Sequence, residues 1–429
     1  MNQRADLQGQ IIINITYSGK DELATIDEVN IHSSRPTQTS KILTGKTPEA
    51  ATAMIGMVYS LCSTAQKCAS VRAIENATGY VASPVTEAMR DAMVHLETLR
   101  EHLLRILIHW SEFTGMRPEH EAAASVIRIR QDIERTARVN CTLFKPGINY
   151  SPLAKQDVRS VSASLAELRK IIEDKVTSCS LEQWQDNKLE VELSQGNLTT
   201  ARALHLLIRN RQWENHCPSK TPQLELCTSA IPELQALMQS WSFIATPTWS
   251  GGARENSVLS RALPGQTVKP TDTTLKTRLL NQIDEVVSLQ RLLEKHFVET
   301  SQTPPCSPQP ESAQTTDAVV LNSLQDSIQD SIQDSMPDTR PETITGVGLA
   351  PAARGLLVHD LTLKNGLISD YRILAPTEWN FHPHGVIVTS LTGLQGPLSD
   401  LKTQATLLTE LIDPCVGFTL EFERATANA

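Results

Sequence analysis

Cysteine and histidine are the side chains in this 429-residue sequence best suited to holding a soft metal, and there are eight of one and eleven of the other. Two cysteines are set apart by their neighbours. Cys415 follows Asp413-Pro414, and a proline disfavours helical geometry in the residue before it. It therefore lies on a turn held against the end of the apolar run that precedes it. Cys62 stands just ahead of a helical pattern, Ala65, Ala69, Val71 and Ala73. A thiolate at a helix start is favoured by the unpaired N–H groups there. From composition alone, Cys62 and Cys68 read as small core residues, as most free cysteines are. Each of Cys62 and Cys415 is otherwise half of a site whose other half is far away in sequence.

The remaining candidates are weaker. His95, His102 and His109 sit seven apart along one helix edge, about 10.5 Å by helix rise, too far for two ligands of one ion. They flank an apolar seam instead. His216-Cys217-Pro218 has no second pair, and Gly251-Gly252 reads as a turn. No CxxC, HExxH, GxSxG or phosphate-loop motif occurs, and the carboxylates form no acid–base pair.

Composition narrows the classes. Aromatic content is 4% against 40% hydrophobic, so the core is aliphatic and suited to helix packing. The net charge of −9 and the lack of a basic stripe argue against nucleic acid or an anionic membrane as partner. No run reaches the ~18 apolar residues of a membrane span. The first residues lack a secretory profile, so a cytoplasmic protein with mostly reduced thiols is expected.

These residues need elements to position them. Residues 11–32 read as two strands around a Gly-Lys-Asp turn. Residues 86–114 carry one helical seam, from Met89 and Ala92 to Trp110 and Phe113, ended by Gly115 and Pro118. A second helix is expected to open at Ser164 with Glu167 as capping partner, and a third to run from about 272 to 296. Residues 300–346 form a Pro/Ser/Gln/Asp-rich insertion with the repeat QDSIQDSIQDSM, expected to be disordered. It separates a first part, 1–299, from a last part, 347–429, of the same domain. In the last part Asn365-Gly366 signals a hairpin, and a short helix capped by Ser399 leads to Pro414.

Both ends of the sequence resemble the large subunit of nickel-iron hydrogenases. That family carries Arg-x-Cys-Gly-x-Cys near its start and Asp-Pro-Cys-x-x-Cys-x-x-His near its end. In register, Cys62 takes the place of the second cysteine of the first motif, Gln66 a following His/Gln position, and Tyr59 the first cysteine. At the other end Cys415 keeps the first cysteine, while Phe418 and Glu421 replace the second cysteine and the histidine. Between them, ARGLLVHDLTLKNGLISDYRILAPTEWNFHPH is similar to the family's segment with Arg-Gly, a His, a hairpin and Pro-Thr/Ser-x-Trp-Asn. The match is dense over 347–421, good over roughly 8–115 and thin between.

The resemblance implies a mainly α fold: a large-subunit-like helical core with small β-hairpins near both termini. It implies that Arg354 and Thr377, beside Pro376, are the groups that hydrogen-bond the cyanides of an iron unit, Fe(CN)2CO. It implies that Cys62 and Cys415 are the two surviving metal thiolates of four. Tyr59 and Phe418 supply no thiolate, so no nickel is expected. Gln8 stands where the family has a proton-relaying Glu, and an amide cannot relay protons. This pattern resembles the HupK/HoxV-type hydrogenase maturation factors, which implies a non-catalytic scaffold that holds Fe(CN)2CO before delivery to the hydrogenase large subunit. The implied partners are a HypC-type chaperone, the large subunit or other maturation proteins. With the final His absent, no C-terminal processing is expected. The competing readings are a metal-free structural relative and an active or H2-sensing hydrogenase subunit. The role of Cys68 stays open.

Overall fold

The computed structural model describes residues 9–139, 142–186, 197–261, 273–302 and 343–426. The chain opens with a hairpin, β1 (Ile11–Lys20) and β2 (Leu23–Ser33), paired antiparallel. Alternating Ile11, Ile13 and Ile15 are fully buried, the period-2 pattern of a half-covered strand. The turn is at Asp21-Glu22, two residues later than the Gly-Lys-Asp reading.

Three helices follow. α1 (Pro48–Val58) is capped by the Thr47 hydroxyl, which accepts from the N–H of Ala50. α2 (Ser63–Thr78) is rich in Ala and Ser, and α3 (Pro84–Leu104) carries the seam foreseen in the sequence. Met89, Ala92, Leu96, Leu99, Leu103, Ile106 and Trp110 are all buried. The seam continues through one π turn at Arg105–His109 and ends at Gly115, whose φ is 67°.

α4 (His120–Thr136) and α5 (Lys155–Ile172) pack side by side. α5 begins nine residues before Ser164, so that serine is mid-helix and caps nothing. Val158 and Val161 extend the buried stripe of Leu165, Leu168 and Ile172 backwards, and packing on the helix Leu275–Gln302 outweighs the weak propensity of the serines between them. α6 (Leu275–Gln302) runs through the middle of the helical body against α3 and α5. Its seam of Leu275, Leu279, Ile283, Val286, Leu289 and Leu293 is buried.

The last part opens with an antiparallel meander, β3 (Thr343–Ala352), β4 (Gly355–Lys364) and β5 (Leu367–Leu374). Asn365 and Gly366 both have positive φ, 51° and 76°, as the hairpin signal requires. β3 and α6 reach into the segment assigned to the insertion, at Thr343 and Gln302; residues 303–342, with the expected disorder, lie outside the described residues. Then come α7 (Pro376–Asn380), the two-residue strand β6 (Gln395–Gly396) and α8 (Leu398–Ile412). Pro397 occupies the cap position of α8, and Ser399 is already inside the helix without a capping bond.

β7 (Phe418–Arg424) is the last strand among the described residues. It joins the first sheet, parallel to β1, in the order β6-β2-β1-β7. Ile11 faces Phe418 and Tyr17 faces Arg424 in this ladder. One sheet therefore ties the start of the chain to its end, while the Asn365-Gly366 hairpin belongs to the separate three-stranded sheet.

α2 lies directly on the meander. A Cβ on Gly348 would stand 2.1 Å from the carbonyl oxygen of Ala69 and 2.4 Å from the nitrogen of Ala73. Only glycine on the strand, facing small residues on the helix, permits this approach. Asn76 accepts from the Val347 N–H at 2.9 Å, and Arg72 donates to the Leu349 carbonyl at 2.9 Å. The Ala-rich sequence of α2 is thus a packing requirement, and it fixes the helix that starts after Cys62. Among the described residues no helix is long and apolar enough to cross a membrane.

Candidate functional site

Cys62 is the residue immediately before α2, reached from α1 through one 3-10 turn, Ser60–Cys62. Cys415 lies just past α8. Asp413 ends that helix in the left-handed conformation, φ 61°, which Asp tolerates better than most residues. Pro414 prevents any return to helix, and β7 then locks the chain onto β1. Both cysteines are half-buried and line one cleft of about 120 Å³ together with Arg35, Tyr59, Gln66 and Glu378. Residues from opposite ends of the chain thus converge on one space.

Each sulfur has a hydrogen-bond donor. The Thr377 hydroxyl donates to Cys415 Sγ at 3.2 Å. Pro376, with its fixed φ, starts α7 and sets Thr377 in its first turn. Gln66 Nε2 lies 3.7 Å from Cys62 Sγ, a long contact to sulfur. Behind Gln66, its Oε1 meets His359 Nε2 at 2.8 Å, and His359 Nδ1 meets the Tyr371 hydroxyl at 2.8 Å. Burial pushes the His359 pKa down to about 3, so this ring is neutral and serves as a spacer.

Arg354 sits on the tight turn between β3 and β4, beside the sulfurs but outside the wall of the cleft. Arg261 donates to the carbonyls of Ala352 and Ala353, and Asn380 Nδ2 donates to the carbonyl of Arg354 itself at 3.3 Å. Glu285 holds Arg261 at 2.6 Å and His102 at 2.8 Å. His102 is therefore a buried structural residue. His109 is exposed, and the three helix histidines do not gather round a common point.

The Arg354 guanidinium pairs with Glu101 and Asp413, each at 3.3 Å. Burial opposes its charge, but Asp413, Glu101 and the two cysteines together raise its pKa further. Its Nε and Nη1 are buried and have no partner. Orphaned buried donors are costly in a native fold and mark a place where another acceptor belongs. These nitrogens suit an anionic ligand held next to the sulfurs.

The start of α2 does not serve Cys62 as the sequence reading expected. The carboxylate of Glu97, on α3, accepts from the N–H groups of Thr64 at 2.9 Å and Ala65 at 3.0 Å. That charge fills the helix end. Burial, the Cys415 sulfur and Glu97 push the Cys62 thiol up to about 12, against smaller help from Arg354 and Gln66. In the absence of a bound cation Cys62 is a thiol.

Tyr59 lines the cleft, its phenol made harder to ionise by burial. Phe418 begins β7 as a packing residue. Cys68 is fully buried on the far side of a helical turn and is not in the cleft. Gln8 lies outside the described residues. Among the described residues no three His, Cys, Asp or Glu side chains form a metal-binding group, so the protein's own soft donors here are two sulfurs.

Sequence reasoning missed Arg35, Glu378 and Glu97. Arg35 comes from the loop after β2, where no periodicity marks it. Glu378 lies within the Pro-Thr-Glu-Trp-Asn segment that was singled out, one residue after Thr377. Glu97 follows Leu96 on α3, is itself buried, and carried no signal.

With this geometry in place, comparison with known proteins is informative. The sequence model of the nickel-dependent hydrogenase family matches residues 156–397, more than half of the chain. The protein belongs to that family. Within it, the chain is similar over nearly its whole length to proteins that are not hydrogenase subunits by name. It is 24% identical over 389 residues to the hydrogenase expression/formation protein HupV of Azotobacter chroococcum, covering 90% of this chain and 92% of the other. It is 26% identical over 405 residues to HoxV of Cupriavidus necator, covering 92% and 93%. By contrast, the similarity to the hydrogenase-2 large chain of Escherichia coli K12 is 32% over 91 residues, 19% of this chain and 16% of that one.

Solved structures agree on the fold. The nickel-iron-selenium hydrogenase of Desulfomicrobium baculatum superposes with a TM-score of 0.56 at 14% identity, covering 93% of this chain and 95% of that one. A variant of the Desulfovibrio vulgaris Hildenborough enzyme gives 0.58 at 13%, covering 95% and 98%. The mainly helical, large-subunit-like architecture with small sheets is thereby established.

Proposed function

We propose that this protein is a non-catalytic, cytoplasmic maturation factor for nickel-iron hydrogenase that holds the Fe(CN)2CO unit on Cys62 and Cys415 before it passes to the hydrogenase large subunit. The observation that carries this reading is the convergence of two sulfurs, from opposite ends of the chain, beside a buried guanidinium with two unpartnered nitrogens. Two thiolates fill only part of an iron coordination sphere, and cyanide and carbonyl ligands fill the rest. Soft thiolates suit such an ion. Arg354 offers charge-assisted donors to a cyanide, and Thr377, whose hydroxyl can rotate away from Cys415, offers another. The near-full-length similarity to hydrogenase expression/formation proteins supports a role in maturation.

The positions of Tyr59 and Phe418 argue against nickel, because neither side chain is a thiolate. Under-coordination also suits a carrier: a unit held by two thiolates, with Cys62 strongly favouring its protonated state, can be released by proton uptake. Delivery needs a donor and an acceptor. The exposed apolar residues Met57, Val58 and Leu61 beside the cleft suit docking of a HypC-type chaperone or the large subunit.

The test is infrared spectroscopy of protein purified without oxygen. Bound cyanide and carbon monoxide bands are expected in the parent and absent in Cys62→Ala and Cys415→Ala. A parent protein without these bands, expressed alongside the full maturation machinery, overturns the reading. It would leave a metal-free structural relative.

A further inference from the structure

We infer that Arg35 is a second anion-recognising group of the cleft, which hydrogen-bonds an anionic ligand of the held metal from the open side and so selects a metal already dressed with anions over a bare divalent ion. The inference rests on the cargo reading above and adds a determinant of what that cargo is. Arg35 lines the cleft, while Arg354 lies outside its wall. The Arg35 side chain is 13% exposed, and its one side-chain hydrogen bond among the described residues is to Glu378 Oε1 at 2.5 Å. A guanidinium carries five N–H donors. Most of those on Arg35 therefore have no protein acceptor.

Glu378 holds Arg35 without closing a two-pronged bridge. Its side chain is 8% exposed and its second oxygen, Oε2, is buried and unpartnered. Arginine–carboxylate pairs frequently use both oxygens. Here the geometry leaves the fork free. Burial works against the charge on Arg35, and the facing Glu378 carboxylate supports it beside the sulfurs. Arg354, in contrast, already faces two carboxylates.

Charge explains the selectivity. A dication that displaces both thiol protons is balanced by the two thiolates. Each anion it brings adds negative charge, which the free N–H groups of Arg35 are placed to meet. A bare ion brings none and meets only repulsion from the guanidinium.

The test compares Arg35→Met and Arg35→Lys with the parent, full length and purified without oxygen alongside the maturation machinery. Two properties are read: iron content with the cyanide and carbonyl infrared bands, and titration with cadmium ion alone, followed by thiolate-to-metal absorption. Arg35→Met is expected to retain about tenfold less iron–cyanide unit, the scale of one lost charge-assisted hydrogen bond. The cyanide bands that remain are expected to shift. Cadmium is expected to bind at least as tightly as in the parent. Arg35→Lys, which keeps charge without the fork, is expected to fall between. Unchanged iron content and bands in Arg35→Met overturn the inference. Equal loss of iron unit and cadmium also overturns it, since that marks a merely structural arginine. A parent without bands sinks the cargo reading first, and this outcome is distinct because it appears before any substitution at Arg35.

Discussion

Glu97 and Cys62 compete for one helix end, and Glu97 holds it. Its two oxygens take the N–H groups of Thr64 and Ala65, so the residue that begins this turn, Cys62, faces a filled anion site rather than an open one. Burial first, then the Cys415 sulfur and this carboxylate, favour the protonated form of Cys62.

The first prediction follows from this competition. Alkylation of Cys62 by iodoacetamide is expected to be slow at neutral pH and to accelerate only as pH climbs from 9 towards about 12. Glu97→Gln removes the charge while keeping an acceptor oxygen, so the midpoint of the rate–pH curve should move down. Peptide mapping of the alkylated site measures it, and an unmoved midpoint would show that Glu97 does not govern Cys62.

Two buried thiols that do not line the cleft set a limit at high pH. Burial pushes Cys68 and Cys217 from the ordinary 9 up to about 12. Below pH 9 both are neutral folded or unfolded, and stability is at its full value. Between 9 and 12 only the unfolded chain ionises, so unfolding is progressively favoured, by up to about 1.4 kcal/mol per pH unit for each thiol. Urea unfolding across this window should show the decline, and Cys217→Ala should flatten it by about one thiol's share.

Asp413 joins shape to charge. Asparagine accepts the same left-handed backbone, so Asp413→Asn isolates the carboxylate. It leaves Arg354 and Arg105 each one anion short. Removing one partner of a buried pair costs about 3–5 kcal/mol at the extreme. Because Glu101 and Glu410 remain, a loss nearer the bottom of that range is expected in chemical denaturation. No loss at all would show that Asp413 is dispensable to the Arg354 turn.

The contact between β3 and α2 has no slack. Gly348→Ala would set a methyl group 2.1 Å from the Ala69 carbonyl oxygen, so strand and helix must part. Overpacking of this kind costs about 1–3 kcal/mol or more. Because α2 begins beside Cys62, the variant should also speed Cys62 alkylation at neutral pH. Thermal unfolding and alkylation unchanged from the parent would contradict the tight packing.

Much of this was legible in the residues. The long seams of α3 and α6 announced themselves because whole faces are apolar at helical spacing, and Asn365-Gly366 named its turn because few dipeptides take two positive φ values. Register with a family pattern singled out Cys62, Cys415, Arg354 and Thr377; the structure sets the two cysteines in one cleft, Thr377 against Cys415, and Arg354 outside the wall, paired with Asp413. What stayed hidden depends on distant packing. Nothing local in Ser164's surroundings says that α5 began nine residues earlier, because Val158 and Val161 are recruited by α6. Nothing near Arg35 says that Glu378 will hold it, since the partners are 343 residues apart. Nothing near Glu97 reveals that it will occupy the end of another helix.

The parallel ladder between β1 and β7 carries a consequence for biosynthesis. A ribosome completes β1 long before Phe418 exists to pair with Ile11. Contacts of such long sequence separation form late and slowly. Until they form, the nascent polypeptide displays Cys62 without Cys415 beside it, so the two-cysteine cleft is assembled late in folding.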